Sequence, residues 1–138
     1  MEANPYEPYV CISAGSFKVV RSIDVENGLA LSRLAMKYSE QPQGWYVWPW
    51  MIHYSRIGEY EKSLEYAITG NFKDDNNIAQ TAVLYWLSNQ KKTALRKYKE
   101  IKEMSPDYSP SEYKRFFIET FDHKGIDNHL EVLKEIET

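Results

Sequence analysis

Along nearly the whole chain the apolar residues fall three or four positions apart, and turn signals cut this pattern at short intervals. Such spacing makes amphipathic helices and leaves no room for the alternating pattern of half-buried strands. A first helix is predicted from Val10 to Val20. Asp24 is placed to cap a second, which carries Leu29, Leu31, Leu34, Ala35 and Tyr38 on one face and stops before Pro42-Gln43-Gly44. A third spans Trp45 to Arg56, and a fourth runs from Tyr60 to Thr69 and closes at Gly70. Asn77 with Gln80 has the form of a capping box opening a fifth helix, Ile78 to Leu87. The sixth covers Lys91 to Met104. Ser109-Pro110-Ser111-Glu112 combines a capping serine, a first-turn proline and a glutamate at the third position, so a seventh helix should run through Phe121. Asp127 can cap a last helix marked by Leu130, Leu133 and Ile136.

The turns inside successive helix pairs fall into register. Ile23, Gly58 and Asn89 are separated by 35 and 31 residues, near the period of about 34 of a helix–turn–helix repeat. Val19, Tyr54 and Tyr85 each lie four residues before these turns. Gly28, Ser63 and Ala94 each lie five after, and all are small, as a close crossing of two helices requires. The expected fold is therefore all-α, with three stacked helical hairpins over about 9–42, 44–75 and 76–108. A C-terminal helical cap over 109–138 covers the last apolar face, and the whole of 1–138 forms a single domain.

Tyr54 through Leu64, with its turn glycine, aromatic and small residue, and Ala94 through the closing Pro106, resemble the tetratricopeptide repeat. The first unit departs from that pattern, with Ile23 in place of the turn glycine and Pro42 two residues late. Gly44-Trp45-Tyr46, His53 through Tyr60, Ser105-Pro106-Asp107-Tyr108 and Tyr113-Lys114-Arg115-Phe116-Phe117 are similar to one particular setting. It is the C-terminal tetratricopeptide region of bacterial multidomain regulators, including adenylate or guanylate cyclases and winged-helix transcription regulators. The similarity covers residues 9 to 136 and implies that the chain is one domain of a longer protein.

In such a stack the first helices of the hairpins line a concave groove. The register points Phe17, Arg21, Trp45, Trp48, Ile52, Arg56, Gln80, Val83 and Trp86 toward it, a mixture of aromatics and arginine suited to binding. Pro49 inside the third helix has two readings. It could kink the helix and widen the groove, or sit harmlessly in the first turn, and the second is preferred because an interior proline costs about 3 kcal/mol. The basic run Lys91, Lys92, Arg96, Lys97, Lys99 and Lys102 is read as a solvated face. His53, His123 and His129 lack metal-ligand spacing and are read as packed or half-buried, and the lone Cys11 as a packing residue. With no phosphate loop, nucleophile elbow or dinucleotide fingerprint, catalysis is not expected, nor is any cofactor or metal. A net charge of −3 argues against nucleic acid. No run of apolar residues is long enough for a membrane span, and no secretory signal is seen, so the expected place is the cytoplasm.

The expected function is a non-catalytic protein–protein interaction or regulatory module that holds a protein or peptide segment, including an upstream domain of the same protein. The alternatives are a small-molecule sensor that uses the aromatic groove and a self-association module, which would form a homodimer.

Overall fold

The computed structural model describes residues 7–40, 42–120, 122–123 and 125–138. Helix α1 (Pro8–Val20) begins with proline in its first turn and a Glu7 carboxylate that accepts the Val10 N–H at 2.8 Å. Helix α2 (Val25–Tyr38) is capped by Asp24, as the sequence predicts. Then follow α3 (Trp48–Arg56), α4 (Tyr60–Gly70), α5 (Asp75–Leu87) and α6 (Lys91–Met104). The chain ends with α7 (Pro110–Lys114), a π-helical turn (Arg115–Thr120) and α8 (Asp127–Glu137). The pairs α1/α2, α3/α4 and α5/α6 pack most extensively, giving three hairpins in series. Helices α7 and α8 close the stack against α5. Among the described residues there is no strand, and no helix is long and apolar enough to cross a membrane.

Several local expectations shift by a residue or a turn. The first hairpin reverses at Ser22, which holds the left-handed conformation (φ 54°), while Ile23 beside it is exposed. The later turns fall at Gly58 (φ 83°) and Asn89 (φ 63°), where expected. Helix α5 starts three residues before Ile78 because Asp74, not Asn77, caps it, its carboxylate accepting the Asn77 N–H at 3.0 Å. Asn77 is thus released from capping to make tertiary contacts. The Ser109 hydroxyl makes no capping bond, and Glu112 pairs instead with Arg115. Ile126 occupies the cap position of α8, with Asp127 the first helical residue. The expected end of the seventh helix, Phe121, lies outside the described residues. Trp45 belongs to a short 3-10 turn (Gly44–Val47) ahead of α3, which leaves Pro49 in the first turn of that helix, where its missing N–H costs nothing.

The small residues fall where the helices cross. Ser63 and Ala94 are fully buried, and the Ser63 hydroxyl donates to the Met51 carbonyl. Between α1 and α2 the approach is closer still. A Cβ built at Gly15 would stand 2.6 Å from the Gly28 carbonyl oxygen, and one at Gly28 would stand 2.9 Å from that of Gly15. Backbone meets backbone there, so neither helix can yield locally. Gly15→Ala should cost about 1–3 kcal/mol through forced separation of the hairpin, measured by urea denaturation. An alanine variant as stable as the parent would show that α1 and α2 slide apart freely.

The core divides into four packed clusters: α1 with α2 and the 3-10 turn, α1 with α3, α3 with α4 and α5, and α5 with α6, α7 and α8. Trp48 packs against three of the four. Its ring also tilts against Phe117 with centroids 6.0 Å apart. A partly exposed residue therefore joins the middle hairpin to the first hairpin and to the cap.

Candidate functional site

A cavity of about 730 Å³ opens beside Trp48. One stripe of α1 forms its first wall: Ser13, Ser16, Phe17, Val20 and Arg21, at the three-and-four spacing of a single helix face. Trp45 and Trp48 stand in the wall contributed by the 3-10 turn and the start of α3. The α4–α5 connection adds Asn71, Phe72 and Asp74, with Asn77 from α5, and the π-helical turn supplies Phe116 and Thr120. A side chain at Gly44 would collide with the Gly70 carbonyl, so glycine there lets the Trp45 turn seat directly on the end of α4. The lining is mainly apolar, with five aromatic rings.

Polar groups in the wall are held in place by one another. Asp74 caps α5 and accepts the Asn77 side-chain amide on both carboxylate oxygens, at 3.1 and 2.9 Å. The Asn77 amide oxygen in turn accepts the Trp48 indole N–H at 2.8 Å. A helix cap thereby fixes the orientation of the tryptophan that links the core. Two groups stand apart from this chain of bonds. The Arg21 guanidinium lies over the Phe17 ring, 4.4 Å from its centroid, and forms no ion pair among the described residues. The Ser16 hydroxyl is buried and has no hydrogen-bond partner.

Of the nine residues that the register points to a groove, four line this cleft: Phe17, Arg21, Trp45 and Trp48. Ile52, Gln80 and Val83 do not; all three are wholly buried. Helix α5 is enclosed by α4, α6, α7 and α8, so the face that an open stack would expose has become interior. Trp86 lies away from the cleft at the end of α5, against the C-terminal core, with the Lys91 ammonium 4.6 Å from its ring. Ser16, Phe72, Asp74, Asn77 and Phe116 also line the wall, none of them expected at a groove from the sequence. Ser16 had a readable signal, since it shares the stripe of Phe17.

Arg56 also has a different place. Its guanidinium donates to the carbonyls of Val19 and Val20 at 2.7 and 2.9 Å, across the interface from α3 to the end of α1. The Val19 carbonyl also accepts the Ser22 N–H at 3.1 Å, and a cation at a helix C-terminus is favoured by the dipole as well. Gly125 packs against the same side chain, so Arg56 binds the first hairpin, the second and the cap together. Arg56→Met keeps most of the stem and removes both charged donors. The expected loss is about 2–3 kcal/mol, seen as a lower urea midpoint with an unchanged slope. A loss below about 0.5 kcal/mol would mean that water serves the two carbonyls equally well.

A second polar constellation lies deep in the molecule. His129 bridges the Ser55 hydroxyl (Nε2, 2.9 Å) and the Tyr113 hydroxyl (Nδ1, 2.8 Å), joining α8 to α3 and α7. The residue types resemble a nucleophile and its base, yet His129 is 1% exposed, Tyr113 0% and Ser55 5%, so no substrate can reach them. Their chemistry is that of a buried strut. Burial lowers the His129 pKa to about 4, and so keeps the ring neutral. His123, also buried, is pushed well below its ordinary value by burial, with the charges of His129 and Arg56 adding to the effect. His53 is half-buried and Cys11 is buried in packing, as the sequence suggests. Most of the basic run on α6 is exposed. Comparisons with protein-family models, with curated proteins and with solved structures find no match to this chain.

Proposed function

We propose that this chain is a non-catalytic interaction and regulatory module of the tetratricopeptide type, one domain of a larger bacterial signalling or transcription regulator. It acts by holding a partner segment in the cleft between α1, the Trp45 turn and the π-helical turn. The observation that carries this reading is the convergence of Phe17, Arg21, Trp45 and Trp48 on one concave surface, where both tryptophans remain partly exposed. Aromatics and arginine in such a setting are the residues that dominate binding energy. The test is a photoreactive phenylalanine analogue placed at position 17, with the same analogue at the exposed Leu95 of α6 as reference. A partner crosslinked from position 17 but not from 95, and lost in Trp45→Ala, supports the reading. Equal capture at both positions, or capture indifferent to Trp45, counts against it.

A second reading, a small-molecule sensor, is favoured by the size of the cleft and by Ser16. The volume of about 730 Å³ falls within the roughly 300–1,000 Å³ usual for small-ligand sites, and the walls are mainly apolar with few polar groups, as such sites are.

A further inference from the structure

We infer that the cleft receives a small organic anion: an aromatic carboxylate that carries a second polar group. The inference rests on the sensor reading and adds the chemistry of the ligand. Three observations carry it. The rings of Phe17, Trp45, Trp48, Phe72 and Phe116 line a single space, which suits a flat aromatic body because offset and edge-on ring contacts are favourable. The charge balance then sets the sign of the ligand. Among the described residues Asp74 is the only carboxylate in the lining, and both of its oxygens are engaged by Asn77, whereas Arg21 forms no ion pair.

An aromatic-lined space could also attract a cation. Here the Arg21 guanidinium already covers the Phe17 face, and its charge opposes a second cation. A carboxylate meets the opposite situation and gains charge-assisted hydrogen bonds. The third observation is the Ser16 hydroxyl, buried at the cleft wall with no partner. A buried hydroxyl without a bond is costly, and a ligand group that reaches it removes the cost. Ser16 and Arg21 lie on the same stripe of the cleft wall, and the guanidinium folds back over Phe17, the neighbour of Ser16. A fused two-ring acid with a hydroxyl substituent presents one polar group to each.

The probe is 6-hydroxy-2-naphthoate, compared with the amine of the same skeleton, 6-(aminomethyl)-2-naphthol, each titrated into the full chain with tryptophan fluorescence and calorimetry as readouts. The acid should bind at least about tenfold more tightly than the amine, the scale of one charge-assisted contact. Arg21→Gln, at a half-buried helix end, should weaken the acid by a similar factor and abolish the preference. An amine that binds as well as the acid and is lost in Trp45→Ala leaves the cleft a ligand site but overturns the anion assignment, as does acid binding indifferent to Arg21→Gln. Absence of binding by both compounds at millimolar concentration overturns the inference and the sensor reading together.

Discussion

Trp48→Ala should lower the stability of the folded chain by about 3–5 kcal/mol, the range for truncating a large aromatic in a core. The size follows from position rather than from burial alone, because Trp48 packs against three of the four core clusters. Its loss opens a void between the middle hairpin, the first hairpin and the cap, and none of the three can collapse into it without leaving the others. It also removes the donor to the Asn77 amide oxygen. Trp48→Phe keeps one aromatic ring and loses the N–H with the rest of the indole, so its cost should fall between nothing and that of Trp48→Ala, at least about 1–2 kcal/mol for the lost hydrogen bond. Urea denaturation provides the measurement. Trp45 touches a single cluster and has its own N–H partner in Gln43, so Trp45→Ala should cost clearly less. A Trp48→Ala variant no less stable than Trp45→Ala would show that the hairpins are held together elsewhere.

Features decided within a few residues were legible in the sequence. Gly58 had to be a turn, and Gly28, Ser63 and Ala94 had to be crossings, because each is fixed by its own backbone and the helix beside it. The tract Asp74-Asp75-Asn76-Asn77 shows where this legibility stops. Any of its four residues can cap a helix, and the choice of Asp74 releases Asn77 to accept from Trp48, 29 residues away. Arg56 was equally undecidable, since its partners are backbone carbonyls 36 and 37 residues earlier, and carbonyls leave no mark in a sequence. Periodicity placed Ile52 and Val83 on a face of their helices correctly. It could not distinguish a concave surface from an interior, because that depends on whether the cap folds over the stack. Phe116 escaped for a related reason: it reaches the cleft from a π-helical turn, which helix propensity does not announce. His129 was more readable than it looked, for it shares the apolar stripe of Leu133 and Ile136 on the last helix.

The buried histidines make the fold sensitive to mild acid. His129 has a folded pKa of about 4, against roughly 6.5 in an unfolded chain. Between these values the unfolded chain binds the proton and the folded chain does not, so stability rises with pH across the window and is lost as pH falls. The contribution is complete above about pH 7 and should have declined by about 3 kcal/mol at pH 4, taking 1.36 kcal/mol for each unit of separation. His123 acts in the same direction through its own burial, and the charge on either imidazole, or on Arg56 beside them, opposes protonation of the other. Carboxylates cannot produce this early loss. Asp24, Glu112 and Glu137 have lowered pKa values, so their contributions are lost as pH falls through the usual carboxylate range and below it. Urea titrations at pH 7, 6 and 5 should therefore show the midpoint falling before any of these acids titrates. His123→Leu removes one titrating ring together with a buried Nδ1 that has no hydrogen-bond partner. It should leave stability at pH 7 equal or higher and flatten the decline toward pH 5. A midpoint constant from pH 7 to 5 in the parent chain would mean that water enters the Ser55–His129–Tyr113 region and lets the rings protonate as they do in the unfolded state.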